Sequence, residues 1–411
     1  MNHDLIYDWN QTGDAPRRPD RRIEFDDETL RDGLQSPSVT TPTVDQKLEI
    51  LRLMDAMSID TADIGLPGAG GIVKEDTLAV AQGMAREKLR IAPNCAARTL
   101  VADLQPIAEI AQITGRPVAA AMFIGSSPIR LYAEDWTLEV IADHTRKAVE
   151  FAVQNGIEVM YVTEDTTRAS PNDLAVLFLT AIDAGANRLC LCDTCGHATP
   201  HGARQLVDWT KTLLADRHLD HVKIDYHGHM DRGLGVWNAI AAIEAGADRV
   251  HGTALGIGER VGNAPLDQVL VNLKLMGWID NDLTKLYEYC TKVSAYAKVP
   301  IPHGYPVVGQ DAFETATGVH AAAIVKAMKK GDVWLADRVY SGVPAADFGR
   351  RQVIAIGPMS GKSNVLHWLQ EHGQPATEAC VAAILEKAKR SDRLLGDQEI
   401  LEIVRKHLGV S

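Results

Sequence analysis

The chain has 411 residues, of which 46% are hydrophobic and 23% are charged, and its formal net charge is -12 at pH 7. These values are typical of an ordinary globular protein that is long enough for one large α/β domain and a smaller second unit. The negative balance argues against nucleic-acid binding, because no run of lysine and arginine offsets it. No apolar run is long enough to cross a bilayer, so no membrane association is expected.

The amino-terminal segment and the cysteines both favour a cytoplasmic protein. Residues 1–21 are polar and lack the apolar core of a signal peptide, so we interpret them as an arm or a strap onto a partner subunit. The six cysteines are too scattered to form a disulfide framework. Cys192 and Cys195 form a C-x-x-C, which fits a redox pair, half a zinc site or two reduced thiols. No second C-x-x-C exists to complete a structural zinc site, so reduced thiols are favoured.

Short apolar segments alternate with helical patterns through the first two thirds of the chain. The predicted strands are 22–27, 59–66, 88–94, 117–124, 157–163, 188–193, 221–227 and 248–254. Eight strand–helix units of this size are typical of a (β/α)8 TIM barrel. A doubly wound open sheet is the competing fold, but no G-x-G-x-x-G follows the first strand. We therefore predict a barrel domain over residues 22–285.

The helical segments of this region carry recognisable end signals. Thr43 and Gln46 form a predicted capping box ahead of a helix whose Leu48 and Leu51 share one face. Gly246 is the predicted carboxyl-terminal cap of the helix that follows the seventh strand. Such caps support the alternation of strands and helices.

After residue 285 the alternation stops. Residues 294–313 contain several prolines and are predicted to form a connection. Residues 317–330 and 377–390 have helical patterns, with an irregular glycine-bearing segment between them. We predict that residues 286–411 form a linker and a mostly helical subdomain.

Barrel enzymes place their active sites at the carboxyl ends of the strands. The residues at these ends predict a metal site. His227 and His229 end the seventh strand, and the period of two sends both side chains to one side. Asp32 follows the first strand, which neighbours the eighth strand in a closed barrel, and Asn263 lies in the loop after the eighth strand. Two imidazoles, a carboxylate and an amide suit Mg²⁺, Mn²⁺, Co²⁺ or Zn²⁺ with open positions. An exposed polar turn is the alternative for the histidine pair.

Other polar residues end strands at the same rim. Arg31 precedes Asp32 and could stabilise a developing enolate or alkoxide, or else form a surface salt bridge. Glu164 and Asp165 end the fifth strand, and Thr194 ends the sixth, where a hydroxyl could bind a substrate carboxylate. Together these residues predict a polar mouth for the barrel.

Several of these segments resemble one enzyme family. They are "TLRDG" (29–33), "TEDTTR" (163–168), "DTCGHATP" (193–200), "HGHMDRGLG" (227–235), "GIGERVGN" (256–263) and "TGVH" (317–320). The chain resembles the metal-dependent, acyl-CoA-using barrels that include 2-isopropylmalate, homocitrate and citramalate synthases and hydroxymethylglutaryl-CoA lyase. The resemblance runs from about Ile23 to Gly357. The chain resembles the synthases more closely than the lyases, because the lyases carry a cysteine in the loop that reads "GIGERVGN" here.

The resemblance implies a Claisen-type condensation of acetyl-CoA with a 2-oxo acid, assisted by a divalent metal. Asp32, His227 and His229 then match the metal ligands, and Asn263 matches the residue beside them. The same resemblance implies a homodimer that acts on small molecules only.

The resemblance also implies roles for the remaining polar residues. Arg31 matches the activating arginine, Thr194 the carboxylate-binding threonine and Glu164 a catalytic carboxylate. His320 and Tyr340 match a helical-subdomain pair implicated in proton transfer, which would reach into the partner's barrel. Helix packing is the alternative for this pair.

Five positions depart from the synthase pattern: Leu34, Arg130, Met230, Arg232 and Met359. Arg130 stands where the synthases tend to have histidine, and we expect it to bind substrate. An arginine there favours an acceptor with a second anionic group. Two rival functions stay open: a lyase or aldolase, which shares Leu34, and a non-catalytic sensor of a CoA ester or a 2-oxo acid.

Overall fold

The computed structural model describes residues 5–408, so the first four residues of the predicted arm lie outside it. The chain divides into two compact units. The first is Met1–Asp282 with Lys292–Val299, and the second is Leu283–Thr291 with Pro300–Ser411. The predicted limit at residue 285 stays a prediction, because helix α10 (Leu286–Ala297) contributes to both units. Within residues 5–408, no helix combines the length and the apolar character that crossing a membrane requires.

The first unit contains a closed barrel of eight parallel strands. Its strands are β1 (Glu24–Asp27), β2 (Thr61–Asp63), β3 (Ala92–Arg98), β4 (Ala119–Gly125), β5 (Val159–Glu164), β6 (Arg188–Asp193), β7 (Lys223–Gly228) and β8 (Arg249–Gly252). The predicted TIM barrel and all eight predicted strands are therefore confirmed. The third strand begins four residues later than expected. Lys88 ends the preceding helix with a left-handed φ of 53°, and the N–H of Leu89 still bonds to the carbonyl of Met84.

Within residues 5–282, nine α-helices connect the strands or follow them. They are α1 (Val44–Ala56), α2 (Gly71–Glu87), α3 (Val101–Thr114), α4 (Pro128–Ala133), α5 (Leu138–Gln154), α6 (Pro171–Asp183), α7 (Pro200–Asp216), α8 (Gly235–Ala245) and α9 (Leu266–Leu275). The capping box at α1 is confirmed, since Thr43 Oγ1 accepts from the N–H of Gln46 and Gln46 Oε1 accepts from the N–H of Thr43. Gly246 caps α8 as predicted.

The barrel interior carries a network of buried charges toward the amino ends of its strands. Asp225 on β7 accepts a hydrogen bond from Arg249 Nε at 2.8 Å and another from Arg188 Nη1 at 2.6 Å. Burial alone would disfavour the carboxylate, but the two arginines outweigh it and hold the pKa of Asp225 well below its usual value. Arg249 Nη1 also donates to Thr61 Oγ1 at 2.9 Å. The interior is therefore tied across strands by ion pairs as well as by apolar packing.

The second unit is mostly helical, with one short parallel sheet. Its elements are β9 (Glu314–Thr315), α11 (Gly318–Lys329), α12 (Val333–Ala336), β10 (Val353–Ile354), α13 (Lys362–Glu371), α14 (Glu378–Lys389) and α15 (Asp397–Leu408). Val365, Leu369, Cys380 and Ile384 lie in its core. The sequence did not predict β9 and β10, because two-residue strands have no readable period.

Removing one member of the buried network should destabilise the protein. Arg249→Met removes the guanidinium that contacts Asp225 Oδ2, and breaking a buried ion pair costs about 3–5 kcal/mol. Because Arg188 remains, we expect the lower end of this range, which lowers the melting temperature by roughly 3–5 °C. The measurement is thermal unfolding followed by circular dichroism.

Arg52→Met is the matched control. Arg52 pairs with Glu87 through two contacts of 2.7 and 2.8 Å, but on the surface between α1 and α2. A surface pair contributes about 0–1 kcal/mol. Equal melting temperatures for the two variants would show that the buried network has no special role in stability.

Candidate active site

A cavity of about 220 Å³ lies at the carboxyl ends of the barrel strands. Arg31 and Asp32 reach it from the turn after β1, Thr194 from the turn after β6 and Arg260 from the loop after β8. Its apolar lining residues lie within the strands or just after them: Leu66, Ala96, Ala121, Phe123, Met160 and Val162. This is the end of the barrel at which TIM-barrel enzymes place their chemistry.

The three predicted metal ligands meet in this cavity. His227 and His229 both have Nε2 directed at Asp32 Oδ2, at distances of 4.0 and 3.6 Å. One ligand atom from each of the three residues lies within 4.8 Å of the others, and all three residues are buried. Burial, with the neighbouring His227 as second cause, lowers the pKa of His229 to about 4. His229 is therefore neutral at pH 7, which is the form that binds a metal ion.

Two buried oxygen atoms, one on Asp32 and one on Asn263 beside His229, have no hydrogen-bond partner, although Asn263 itself does not line the cavity. The two atoms are Asp32 Oδ2 and Asn263 Oδ1. A β-bridge places Asn263 opposite His229, and Asn263 Nδ2 donates to the carbonyl of Ile257 at 3.1 Å. Buried acceptors are normally satisfied, and a bound ion is one of the accepted explanations for those that are not. The donors present therefore fit a divalent ion with nitrogen and oxygen ligands.

Glu28 and His251 belong to the site, and the sequence did not predict them. Glu28 Oε2 lies 3.0 Å from His227 Nδ1, and Glu28 Oε1 lies 2.8 Å from His251 Nδ1. His251 Nε2 continues to Asp225 Oδ2 at 3.0 Å. Burial alone would lower the pKa of His227, but the Glu28 carboxylate outweighs it and raises that pKa.

The sequence contains a weak signal for these two residues. Glu28 lies four residues before Asp32, and His251 lies on the eighth predicted strand. Their inward direction depends on the exact start of each short strand, which sequence periodicity leaves open.

Arg31 is fixed by acidic residues on three sides. Its Nε donates to Asp63 Oδ2 at 2.7 Å, while Nη2 lies 3.3 Å from Glu28 Oε2 and Nη1 lies 3.3 Å from Asp32 Oδ1. Burial opposes the positive charge, but these carboxylates outweigh it and raise the pKa of Arg31 well above its usual value. Asp32 was the expected neighbour of Arg31, whereas the sequence did not predict the contacts of Arg31 with Asp63 and Glu28.

Glu164 and Thr194 line the same cavity, whereas Arg130 does not. Burial raises the pKa of the Glu164 carboxyl, with the positive charges of Arg130 and Arg31 acting in the opposite direction. Thr194 Oγ1 accepts from the N–H of Asp165 at 2.8 Å. Arg130 lies on α4 and pairs with Glu134 at 3.1 Å, so its substrate-binding role stays a prediction.

The loop after β8 closes one side of the cavity with a second arginine. Arg260 donates to both carboxylate oxygens of Asp231, at 2.8 and 2.9 Å, and to the carbonyl of Thr194 at 2.6 Å. Gly262 has a φ of 93°, and a Cβ there would lie 1.7 Å from the carbonyl oxygen of Gly256. Only glycine fits this close approach, so the loop geometry depends on it.

In the second unit, His320 and Tyr340 are adjacent. Their rings stack with centroids 4.1 Å apart and an interplanar angle of 26°. Both side chains are exposed, Tyr340 to 48%. The structure thus brings the predicted pair together on a surface of the second unit.

Comparison with known proteins identifies a family that shares this sequence pattern. The model of a family described as HMGL-like matches residues 22–293. The chain is 31% identical over 383 residues to a probable 2-isopropylmalate synthase of Methanopyrus kandleri, which covers 92% of this chain and 71% of that protein. It is 33% identical over 397 residues to a homocitrate synthase of the same organism, which covers 94% of this chain and 92% of that protein.

Solved structures share the fold at lower identity. The match to the HMG-CoA lyase of Brucella melitensis has a TM-score of 0.56 at 17% identity. It covers 68% of this chain and 99% of the lyase chain. The match to the HMG-CoA lyase of Bacillus subtilis has a TM-score of 0.58 at 19% identity. It covers 69% of this chain and 96% of the lyase chain. The barrel, the matched family model and the similarity to the two synthases together show that the chain belongs to the HMGL-like family.

Proposed function

We propose that this protein catalyses a Claisen-type condensation of acetyl-CoA with a 2-oxo acid, after which water hydrolyses the thioester and CoA is released. The observation that carries the proposal is the convergence of Asp32, His227 and His229 in one cavity, in a chain similar to a 2-isopropylmalate synthase and to homocitrate synthases. We further propose that the enzyme works in the cytoplasm as a homodimer and uses small-molecule substrates only.

Asp32, His227 and His229 would hold a divalent ion (Mg²⁺, Mn²⁺, Co²⁺ or Zn²⁺), with Asn263 beside them. The ion would supply Lewis acidity that polarises the keto group of the acceptor. The chain contributes the orientation of the ligands. The carboxylate of Glu28, 3.0 Å from Nδ1 of His227, leaves Nε2 of that ring directed at Asp32. Carboxylates behind a ligating histidine fix its tautomer and ring angle.

Arg31 would stabilise the negative charge that develops on the acceptor oxygen. A guanidinium that is already fixed by three carboxylates needs no reorganisation when charge appears in front of it. It also lines the cavity next to the metal-binding set. Electrostatic preorganisation of this kind is usually the largest single contribution to catalysis.

Thr194 and Glu164 would complete the substrate site. Because Thr194 Oγ1 already accepts from the N–H of Asp165, its own hydroxyl proton is left to donate to a substrate carboxylate. The raised pKa of Glu164 suits a carboxyl group that takes and returns a proton during the reaction. His320 and Tyr340 are the proposed proton-transfer pair of the second unit, and Arg130 is the proposed contact to a second anionic group on the acceptor.

Carbon–carbon bond cleavage of a hydroxyacyl-CoA is the second candidate function. Leu34, at the position where the lyases also carry leucine, favours it. The loop 256–263 has no cysteine, which favours synthesis. Both functions would use the same cavity. The cleavage keeps the thioester in its acyl-CoA product, whereas the condensation also hydrolyses a thioester and so releases CoA.

A substrate panel tests the condensation. Purified protein with Mn²⁺ should release free thiol from acetyl-CoA only when a suitable 2-oxo acid is present. His229→Ala should abolish the release, because one imidazole of the metal-binding set is lost. His221→Ala is the matched control, since His221 is exposed just before β7 and should keep full activity. Thiol release without any 2-oxo acid, or cleavage of a hydroxyacyl-CoA instead, would contradict the proposal.

Glu28→Gln should weaken metal binding while the ligands remain. Loss of the carboxylate behind a ligating histidine typically costs 10–100-fold in metal affinity, and we expect a weakening on that order for Mn²⁺. Isothermal titration or electron paramagnetic resonance with Mn²⁺ measures it without substrate. Asp32→Ala should lose binding altogether. An unchanged Mn²⁺ affinity in Glu28→Gln would remove Glu28 from the metal site.

Arg31→Lys should reduce turnover more than metal binding. Lysine keeps the charge but lacks the planar fork that contacts Asp63, Glu28 and Asp32 together. Removing one preorganised donor costs about 10²–10³-fold in kcat. Steady-state kinetics with Mn²⁺ affinity as the internal control separates the two effects. A loss confined to Mn²⁺ affinity would show that Arg31 serves the metal site rather than the reaction.

A further inference from the structure

Asp165, in the turn after β5, has a left-handed backbone conformation. Its φ of 61° and ψ of 35° lie in a region that residues with a Cβ enter at a cost, which aspartate tolerates better than most. The residue is buried, and unlike its neighbour Glu164 it does not line the cavity. The function proposed above uses its backbone N–H as a partner of Thr194 and gives its side chain no role.

The left-handed turn directs the two polar groups of Asp165 to different turns of the barrel rim. The backbone N–H donates to Thr194 Oγ1, in the turn after β6, at 2.8 Å. The two carboxylate oxygens accept hydrogen bonds from Arg168 Nε and Nη2, both at 2.7 Å, and one of them also accepts from Ser127 Oγ in the turn after β4. One buried residue therefore connects three consecutive turns at the end of the barrel that holds the cavity.

The carboxylate contacts hold the backbone of Asp165 in this conformation. Glycine would adopt the positive φ at a lower cost, but it has no side chain to accept hydrogen bonds from Arg168 and Ser127. A guanidinium that contacts both oxygens of a carboxylate restrains the geometry of the pair as well as stabilising it. The side chain therefore fixes the backbone that presents the N–H to Thr194.

Thr194 is held at two points. Its hydroxyl oxygen accepts from the N–H of Asp165, and its carbonyl oxygen accepts from Arg260 Nη2 at 2.6 Å. A hydroxyl group has one proton and two lone pairs. Because one lone pair faces Asp165, the O–H bond of Thr194 points away from that residue, and Thr194 itself lines the cavity. A donor that is oriented before binding loses less conformational freedom when a ligand arrives.

We propose that Asp165 is a positioning residue for Thr194, because its left-handed backbone fixes the N–H that orients the Thr194 hydroxyl toward the carboxylate of the 2-oxo acid. This inference rests on the proposed function, in which that carboxylate lies against Thr194. Asp165 acts through Thr194 and does not touch the substrate. Its loss should weaken binding of the 2-oxo acid and leave the binding of Mn²⁺ and of acetyl-CoA unchanged.

Two substitutions of Asp165 separate its backbone conformation from its charge. Asp165→Ala disfavours the positive φ and should raise the KM for the 2-oxo acid by roughly 5–30-fold, the equivalent of about 1–2 kcal/mol. Asp165→Asn should restore most of the affinity, because asparagine tolerates the left-handed region and keeps an oxygen that accepts from Arg168. Steady-state kinetics of the full chain with Mn²⁺ gives both values, with the KM for acetyl-CoA as internal reference. An Asp165→Asn variant as impaired as Asp165→Ala overturns the proposal.

His218→Ala is the matched control for the backbone cost. His218 also has a left-handed φ, of 57°, but it is exposed and lies between α7 and β7, at the opposite end of the barrel. Alanine meets the same backbone cost there, so the melting temperature should fall while the KM for the 2-oxo acid stays unchanged. Equal KM changes in the two alanine variants would show that Asp165 acts only through general stability.

A double-mutant cycle tests whether the effect passes through Thr194. Thr194→Val removes the hydroxyl and keeps the shape of the side chain. In that background Asp165→Ala should raise the KM for the 2-oxo acid no further, because the group that Asp165 orients is gone. Independent sites have additive effects, so an additive rise in KM overturns the proposal. If Asp165→Ala folds poorly, Arg168→Met replaces it in the cycle, since it removes the guanidinium that holds the Asp165 carboxylate.

Calorimetry with pyruvate makes the same comparison without turnover. Pyruvate carries a keto group next to a carboxylate, and it is titrated into the full chain with Mn²⁺ and without acetyl-CoA. Asp165→Ala should bind pyruvate more weakly than the unsubstituted protein does, with an unchanged affinity for Mn²⁺. Equal pyruvate affinities contradict the role of Asp165. Pyruvate binding by a protein that releases no thiol with any 2-oxo acid contradicts the condensation alone.

Discussion

The open end of the barrel depends on one buried guanidinium. Arg31 lies within ion-pair distance of Asp63, Glu28 and Asp32, which would otherwise be three buried carboxylates close to one another. Like charges in a low-dielectric interior destabilise a fold strongly unless they are paired. Arg31 therefore stabilises the fold, independently of any role in the reaction. A side chain held in this way is also already oriented for charge that develops in the cavity.

From this centre, hydrogen bonds extend down the inside of the barrel. Glu28 joins His227 to His251, and His251 leads to Asp225, which is held by Arg249 and Arg188. The candidate metal site and the ion pairs near the amino ends of the strands thus belong to one connected network. The orientation of the His227 ring is consequently supported by contacts that run from Glu28 through His251 to Asp225.

The same cavity is lined by two kinds of side chain. Carboxylate and imidazole groups come from β7 and from the turn after β1, whereas thiols come from β6. Cys192 is the register partner of His227, so the thiols and the imidazoles lie on adjacent strands. The second unit contributes a separate feature, the stacked and exposed pair His320 and Tyr340.

The sequence by itself determined the eight-strand barrel, the cap residues Thr43 and Gly246, and the set formed by Asp32, His227 and His229. These follow from local periodicity, short-range capping and the rule that parallel strands end at one rim, all of which are visible along the chain. Only the tertiary structure decided that Glu28 supports His227, that Asp63 holds Arg31 and that Cys192 pairs with Cys190 rather than Cys195. Such contacts join residues up to 199 positions apart or depend on strand register, and a shift of one residue turns every side chain to the opposite face.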